Sequence, residues 1–288
     1  MTLLVVGEAL VDVLVDEGTE HAGGGPANVA VGLGRLGHDV TLLTALGDDE
    51  RGTMVRAHLI ASHVHVLAAP LERTSTARAK LDAAGVASYE FDIAWDIGDL
   101  APEGAVSWLH VGSIGATLLP GADQVSRLVS RYGGTAVVSY DPNVRPLLMG
   151  DGDRARITDL AGRADVVKLS DEDASWLHPG ERPVDVAQRL LALGPRLVVV
   201  TLGGDGALAV LRDDPTVVLA GPAPGGPVVD TVGAGDAFMS GLVDVLSGAD
   251  VRRLDVSDVR RALEQAGRVA RRTCERAGAD PPRRADLG

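Results

Sequence analysis

The sequence predicts an α/β fold in which a doubly wound, mostly parallel sheet lies between two layers of helices. Short runs rich in Val and Leu alternate with helical patterns over most of the 288 residues. These runs are continuously apolar, as a parallel sheet covered on both faces requires. No internal repeat, low-complexity segment or linker separates two full domains. We therefore expect a single domain over residues 1–288, with a small β lid.

The elements follow in order from apolar periodicity and from the residues that begin and end helices. Residues 2–15 predict a strand, and residues 25–37 a helix with Pro26 in its first turn and Gly37 at its C-cap. The remaining predicted strands are 40–46, 107–113, 135–141, 164–170 and 196–203. The remaining predicted helices are 50–62, 121–132, 152–162, 171–177 and 183–193. Residues 73–93 break this rhythm, because polar and apolar residues alternate there around a central turn. They predict a hairpin that stands off the main sheet as a lid.

Composition and charge exclude several classes of function. The formal net charge of −13 argues against nucleic acid or an anionic membrane as a partner. An anionic ligand would need a local positive site built against the general field of the protein. The one cysteine, Cys274, cannot form an intrachain disulfide and fits a reducing cytosol. The apolar N-terminal segment lacks a basic leader and is interrupted by Glu8 and Asp12, so we expect a strand there and a soluble, cytoplasmic protein.

The common nucleotide-binding motifs do not fit this sequence. The glycines of GLGRLG (32–37) lie in the second half of a predicted helix, whereas a dinucleotide fingerprint follows a strand. Small residues for close helix packing are the better account. A P-loop needs Gly-Lys-Ser/Thr, and neither Lys80 nor Lys168, the only lysines, follows a glycine. The characteristic triplets of protein kinases are missing as well.

The segment DTVGAGDAF (230–238) places small residues and Asp236 at the start of a predicted helix. Backbone N–H groups in a first helical turn have no intrahelical partners and bind anions without a lysine. Glycine lets such an anion approach the backbone. The alternative is that Asp236 only caps the helix.

Two further segments suggest a polyhydroxylated ligand. In GGGPANVAVGLGRLG (23–37), a glycine cluster leads into Asn28, which can donate to and accept from hydroxyl groups. The alternative is a tight turn that begins a helix. In GEALVD (7–12), Asp12 could accept two sugar hydroxyls, although a surface carboxylate at a strand end is equally common.

Together these three segments resemble the ribokinase-like, or PfkB, family of carbohydrate kinases. The resemblance continues in order through TSTARAKLD, DPNVRP, VVKLSDED, VVVTLGGDGA and CERAGADPP, and covers essentially the whole chain. Within the family, the chain is most similar to fructokinases, followed by 2-keto-3-deoxygluconate kinases. The resemblance implies an ATP-dependent sugar kinase of ribokinase-like fold, with ribose or a nucleoside as further alternative substrates. A non-catalytic sugar sensor of the same fold is the alternative outside enzymes.

The resemblance also implies the roles of the site residues. Asp236 would be the catalytic base, and Gly233, Ala234 and Gly235 would form an anion hole for the transferred phosphoryl group. The sugar-binding residues would be Asp12, Gly24, Gly25, Asn28 and Arg145. The ATP-binding residues would be Lys168, Ser170, Thr201, Gly203 and Gly206.

Metal ions are also implied by the resemblance. Mg²⁺ would bridge the nucleotide phosphates. Asp173 would organise it through water, although Asp173 and Ser170 stand where the family usually has glutamate and asparagine. K⁺ is a further expectation, at a site formed by Asp230 and the loop around Gly278.

Residues 13–23 and 70–96 would form the lid, through which a homodimer would assemble. Only ten residues separate Asp12 from Gly23. This short spacing predicts a truncated first lid strand.

Overall fold

The protein is described by a computed structural model that covers residues 2–81 and 87–288. Its strands are β1 Thr2–Val6, β2 Leu10–Leu14, β3 Thr19–Gly23, β4 Val40–Gly47, β5 Val64–Leu71, β6 Thr76–Leu81, β7 Ala87–Asp92, β8 Val106–Gly112, β9 Val137–Asp141, β10 Val166–Ser170, β11 Leu197–Thr201, β12 Ala207–Leu211 and β13 Asp214–Ala220. Its α-helices are α1 Gly25–Arg35, α2 Glu50–Ala61, α3 Gly121–Tyr132, α4 Asp151–Arg163, α5 Asp171–Leu177, α6 Pro183–Leu193, α7 Ala234–Leu246 and α8 Val256–Cys274.

The main sheet has nine strands in the order β13-β12-β11-β10-β9-β8-β1-β4-β5. The seven strands from β11 to β5 are parallel, and β12 and β13 add an antiparallel edge. Both faces are buried: Leu4 and Val6 of β1 pack in one apolar cluster, and Leu3 and Val5 in the other. The predicted doubly wound sheet between two helix layers is therefore confirmed.

The predicted elements agree with the structure to within a few residues, with one difference near the N-terminus. Residues 2–15, predicted as one strand, form β1 and β2. The chain bends between them where a Cβ on Gly7 would collide with the Pro26 ring. The apolar pattern continues through the bend because both strands are buried, so the pattern alone does not reveal it. Glycines 32 and 34 serve helix packing as predicted: a Cβ on Gly32 would meet Ser240 of α7.

A second sheet of four strands, in the order β3-β2-β6-β7, stands off the main sheet. It contains the predicted hairpin, although the central turn of that hairpin lies outside the described residues. Strands β2 and β3 form a complete antiparallel hairpin in which Leu10 pairs with Gly23 and Leu14 with Thr19. Ten intervening residues are therefore enough for two short strands joined by a turn, and the truncation of the first lid strand stays a prediction.

In the part of the chain that the structure describes, no helix has the length and apolar character needed to span a membrane.

Candidate active site

The candidate site lies at the carboxyl edge of the parallel strands. Glu8 follows β1, Ser113 follows β8, and Asp141 and Ser170 end β9 and β10. Strand β1 pairs with β4 on one side and with β8 on the other, so the connections diverge at this point of the sheet. Such divergence points are where open α/β sheets bind ligands.

Helix α7 begins at this edge, with Gly233 as its N-cap. Gly233 has a left-handed backbone with φ of 73°, and a Cβ there would lie 2.5 Å from the Cβ of Ala279. Glycine is therefore required at this position by conformation and by space. The first intrahelical bond runs from the Ala237 amide to the Gly233 carbonyl (2.8 Å). The Ala234 amide donates to the Thr231 carbonyl (3.2 Å), which leaves Gly235 and Asp236 as the first-turn amides best placed to meet an anion.

The carboxylate of Asp236 lies between side chains from two other elements. Its Oδ2 accepts from Asn28 Nδ2 of α1 (2.9 Å), and its Oδ1 accepts from Asn143 Nδ2 (3.4 Å). The residue is 8% exposed. The helix is capped by Gly233, which has no side chain, so the alternative in which Asp236 serves only as the cap is wrong.

Burial is the largest influence on the pKa of Asp236 and raises it. The hydrogen bond from Asn28 and the positive charges of Lys168 and Arg145 act in the opposite direction. A buried carboxylate with a raised pKa beside two cations has the properties expected of a general base. These two cations are also the local positive site that an anionic ligand needs in an acidic protein.

Lys168 and Asp141 form a buried ion pair with 2.9 Å between Nζ and Oδ2, and both side chains are 4% exposed. The attraction of Asp141 raises the pKa of Lys168 against the effect of burial, so its ammonium group stays charged. A Cβ on Gly235 would lie 3.1 Å from Lys168 Nζ. The structure therefore places this cation directly beside the first-turn amides of α7.

The predicted sugar-binding residues converge on Asp236. A Cβ on Gly25 would lie 2.7 Å from Asn143 Nδ2 and 3.3 Å from Asp236 Oδ1, so only glycine lets the backbone approach the carboxylate this closely. Asp12, on lid strand β2, has its pKa raised mainly by burial; Arg145 lowers it and Asp236 raises it. Gly24 has φ of 103°, and a Cβ there would press on the Glu8 carbonyl.

Arg145 belongs to the same group of residues but bends back on its own loop. It donates to the Asn143 carbonyl (3.1 Å), to Asn143 Oδ1 (2.6 Å) and to the Val144 carbonyl (3.2 Å). These bonds orient the Asn143 amide so that its Nδ2 faces Asp236. Arg145 therefore influences Asp236 in two ways: it holds Asn143, which hydrogen-bonds to Asp236, and its positive charge lowers the pKa of Asp236.

The predicted ATP-binding residues lie further along the same edge. Ser170 and Thr201 are paired in register at the ends of β10 and β11. Gly203 begins the turn that follows β11, and Gly206 closes it with φ of 97°, where a Cβ would collide with the Ala220 carbonyl at the end of β13.

Asp173 has a structural task in this part of the protein. Its Oδ2 accepts from the Ser170 amide (2.8 Å), which completes a capping box at the start of α5, and its Oδ1 accepts from the Val144 amide (2.8 Å). Asp141 differs, because its Oδ1 is buried without a hydrogen-bond partner among the described residues.

Asp230 and Gly278, predicted to share a cation site, are joined by a hydrogen bond. Asp230 Oδ2 accepts from the Gly278 amide (2.8 Å), and Oδ1 accepts from the Val232 amide (3.0 Å). These backbone hydrogen bonds lower the pKa of Asp230, that from Val232 most strongly. The next residue along the chain, Ala279, packs on Gly233, so this loop supports the start of α7.

Sequence reasoning missed four polar residues of the site: Glu8, Ser113, Asp141 and Asn143. Asp141 and Asn143 belong to the quoted segment DPNVRP, in which only Arg145 was assigned a role. The signal that could have found Asp141 and Ser113 is their place at the ends of predicted parallel strands, which meet at one edge.

The fold and the site together are those of a class of protein: kinases that phosphorylate small hydroxylated molecules. The family profile described as pfkB family carbohydrate kinase matches residues 4–285. The chain belongs to this family and is a fructokinase-like phosphotransferase whose acceptor is a sugar hydroxyl.

Individual relatives agree with this assignment. A fructokinase of Klebsiella pneumoniae is 37% identical over 257 residues, which are 83% of this chain and 82% of that protein. A double-mutant fructokinase of Vibrio cholerae O395, solved with fructose, ADP and potassium ion, has a TM-score of 0.86 at 27% identity and covers 99% of this chain and 96% of its own. Aminoimidazole riboside kinase of Salmonella enterica, solved with aminoimidazole riboside and an ATP analog, has a TM-score of 0.81 at 26% identity over 97% of this chain and 95% of its own.

Proposed function

We propose that this protein is a fructokinase that transfers the γ-phosphoryl group of ATP to a hydroxyl group of fructose. The observation that best supports the proposal is the position of Asp236. Its buried carboxylate lies in the first turn of α7, beside the Gly235 and Asp236 amides and close to the Gly25 backbone. A base and an anion-binding site are thus adjacent, as phosphoryl transfer to an alcohol requires.

In the proposed reaction, fructose lies against Gly24 and Gly25, and Asp12 and Asn28 bind its hydroxyl groups. Asp236 accepts the proton of the attacking sugar hydroxyl. The hydroxyl oxygen bonds to the γ-phosphorus, and the bond from that phosphorus to the β,γ-bridging oxygen breaks. ADP leaves with that oxygen. The amides at the start of α7 and the ammonium group of Lys168 stabilise the charge on the transferred group.

ATP would extend along the carboxyl edge from Lys168 toward β13. Strand β13 is three strands away from β10, or about 14 Å at the usual spacing. A cavity of about 460 Å³ lies there, with residues 219–224 on one side and Leu263 and Gly267 of α8 among those on the other. Its walls combine apolar residues with the charged residues Arg260, Glu264 and Arg268, and we place the nucleobase there. The predicted residues Ser170, Thr201, Gly203 and Gly206 would lie between the phosphates and this cavity.

We also propose that Mg²⁺ accompanies ATP. Within residues 2–81 and 87–288, no group of three or more His, Cys, Asp or Glu side chains forms a metal site. The unpartnered Asp141 Oδ1 is a hard oxygen acceptor that would hold a Mg²⁺-bound water. Bound Mg²⁺ would neutralise charge on the phosphates. Asp173 stays a prediction, and both of its oxygens already accept from backbone amides.

A K⁺ site formed by the Asp230 and Gly278 loops is part of the proposal. The fit rests on the ionised, backbone-anchored Asp230 carboxylate and on the contact between Ala279 and Gly233. A cation there would stiffen the loop that supports the start of α7. The homodimer formed through the lid and the cytoplasmic location stay predictions.

The substrate is tested by measuring ADP release with Mg²⁺, K⁺ and ATP across fructose, ribose, 2-keto-3-deoxygluconate, aminoimidazole riboside, adenosine and glucose. We expect fructose to give the highest kcat/KM. Aminoimidazole riboside is the second candidate, because the kinase of that riboside has the same fold over nearly the whole chain. A preference for any other compound would contradict the fructokinase proposal.

A further inference from the structure

Two features of the site have no role in the proposed reaction. The first is Glu8, a carboxyl group only 3% exposed at the end of β1. The second is Ser113, which follows β8 with φ of 55° and ψ of −150°. Only glycine populates this backbone region readily, so a serine there is strained and must be held by its surroundings.

The two residues are joined at the point where β1 and β8 end side by side. Glu8 Oε2 accepts from the Gly115 amide (2.8 Å), and the Ser113 side chain hydrogen-bonds to the same carboxyl group. The Ser113 amide donates to the Asp141 carbonyl (3.0 Å), and the Gly115 carbonyl accepts from Trp95 Nε1 (2.9 Å). Glu8 is thus the side chain that contacts the strained turn at both Ser113 and Gly115.

The strained turn forms one wall of the region around Gly25 and Asp236 in which the sugar is proposed to bind. The Cβ of Ser113 lies 3.4 Å from the point where a Cβ on Gly25 would stand. Asn143 Nδ2 and Asp236 Oδ1 border the same point at 2.7 and 3.3 Å. If the turn relaxed, this wall would move relative to Asp236.

We propose that Glu8 is a positioning residue that holds the strained Ser113 turn against the sugar-binding space. This inference rests on the proposed function, because that function makes the space beside Asp236 the sugar site. Glu8 acts through Ser113 and Gly115 and does not itself contact the reacting atoms.

The informative change is Glu8→Leu, which keeps the size of the side chain and removes its polar atoms. Gln would be uninformative here, because its amide can still accept from Gly115 and donate to Ser113. We expect E8L to raise the KM for fructose about tenfold, which is about 1.4 kcal/mol, with a smaller change in kcat. The Gly115 amide also loses its partner, so the melting temperature falls as well.

The decisive comparison places a second change at Ser113 in the E8L background. Ser113→Gly removes the strain and needs no support, whereas the matched control Ser113→Ala keeps the strained Cβ. We expect E8L/S113G to recover a KM at least about threefold lower than that of E8L/S113A, while its melting temperature stays below that of the unmodified protein. A purely structural role for Glu8 would give no selective recovery of KM.

Equal KM values for E8L/S113G and E8L/S113A, or an unchanged KM in E8L, would overturn the inference. If the unmodified protein phosphorylated another sugar of the panel, the same comparison would be made with that sugar. If it phosphorylated none, the proposed function would fail by itself. The coupling between Glu8 and the Ser113 turn would then be measured by melting temperature. E8L should lower the melting temperature less in the S113G background than in the S113A background. Equal decreases would refute the coupling.

Discussion

Replacing Asp236 with Asn tests the assignment of the catalytic base most directly. Asn has the shape of Asp, and its amide oxygen can keep the 2.9 Å bond from Asn28. Its amide nitrogen then faces Asn143, so the weak 3.4 Å bond is lost. That loss should cost about 1 kcal/mol of stability, or roughly 2–4 °C in melting temperature. The fold should therefore survive the change.

The effect on catalysis should be much larger. Loss of a general base lowers kcat by about 10²–10⁴-fold, equal to roughly 2.7–5.5 kcal/mol on the barrier. Fructose affinity should change little, because the role of Asp236 lies in the transition state. The pKa of Asp236 is raised by burial, so kcat/KM of the unmodified protein should increase as the pH rises through that pKa. D236N should lack this increase.

The assay is ADP release coupled to NADH oxidation, with fructose binding measured by calorimetry. Asp244→Asn is the matched control, since Asp244 is a buried aspartate on the same helix. It accepts from His38 (2.7 Å), Gln265 (3.0 Å) and Arg284 (2.5 Å), away from the site. D244N should lower the melting temperature and leave kcat near that of the unmodified protein. A D236N variant that turned over normally would refute the assignment of the base.

Three further substitutions test the residues of the site. Lys168→Met should destabilise the protein by about 3–5 kcal/mol in urea unfolding, because it leaves the Asp141 carboxylate buried and unpaired; a K168M/D141N double variant as unstable as K168M would contradict this reason. Gly235→Ala should lower kcat at least about tenfold by crowding the space beside Lys168 Nζ, while thermal stability holds or rises because Ala favours helix more than Gly; full activity would mean that no anion approaches there. Burial raises the pKa of Glu8 from 4.5 to about 7. The unfolded chain therefore releases this proton first, and stability from this group falls as the pH rises from 4.5 to about 7. Glu8→Gln should flatten that part of the curve of stability against pH, and parallel curves would show that Glu8 does not titrate there.

The sequence was sufficient for the fold and for the residues at the start of α7. Apolar runs reveal buried strands one by one, and Gly233 and Asp236 occur in a segment whose composition is unusual for a helix start. The need for glycine at the Gly7 bend was hidden because the Pro26 ring that packs against it belongs to another element. The local sequence pattern around a residue does not reveal its contacts with residues from other elements.

The missed polar residues were hidden for a related reason. Asn143 becomes part of the site because its amide nitrogen donates to Asp236, which is 93 positions away along the chain, while Arg145 binds its amide oxygen. Asp173 illustrates the converse case, since its resemblance to a metal-organising acid does not reveal that its oxygens cap α5 and bind the Val144 amide; its role toward a metal stays a prediction. Strand register and side-chain orientation determine the contacts of Asn143 and of Asp173. Neither can be deduced from the sequence without the assembled sheet.

The separation of the two sheets has a consequence for fidelity. Asp12 belongs to the four-stranded sheet, whereas Asp236 belongs to a helix packed on the nine-stranded sheet. Asp12, proposed to bind the sugar, and Asp236, proposed to deprotonate it, thus belong to different layers of the structure. Near Asp12 these layers are connected by the short bend at residues 7–9. A bound sugar would contact both sheets, whereas water would not, so we expect hydrolysis of ATP in the absence of sugar to be slow.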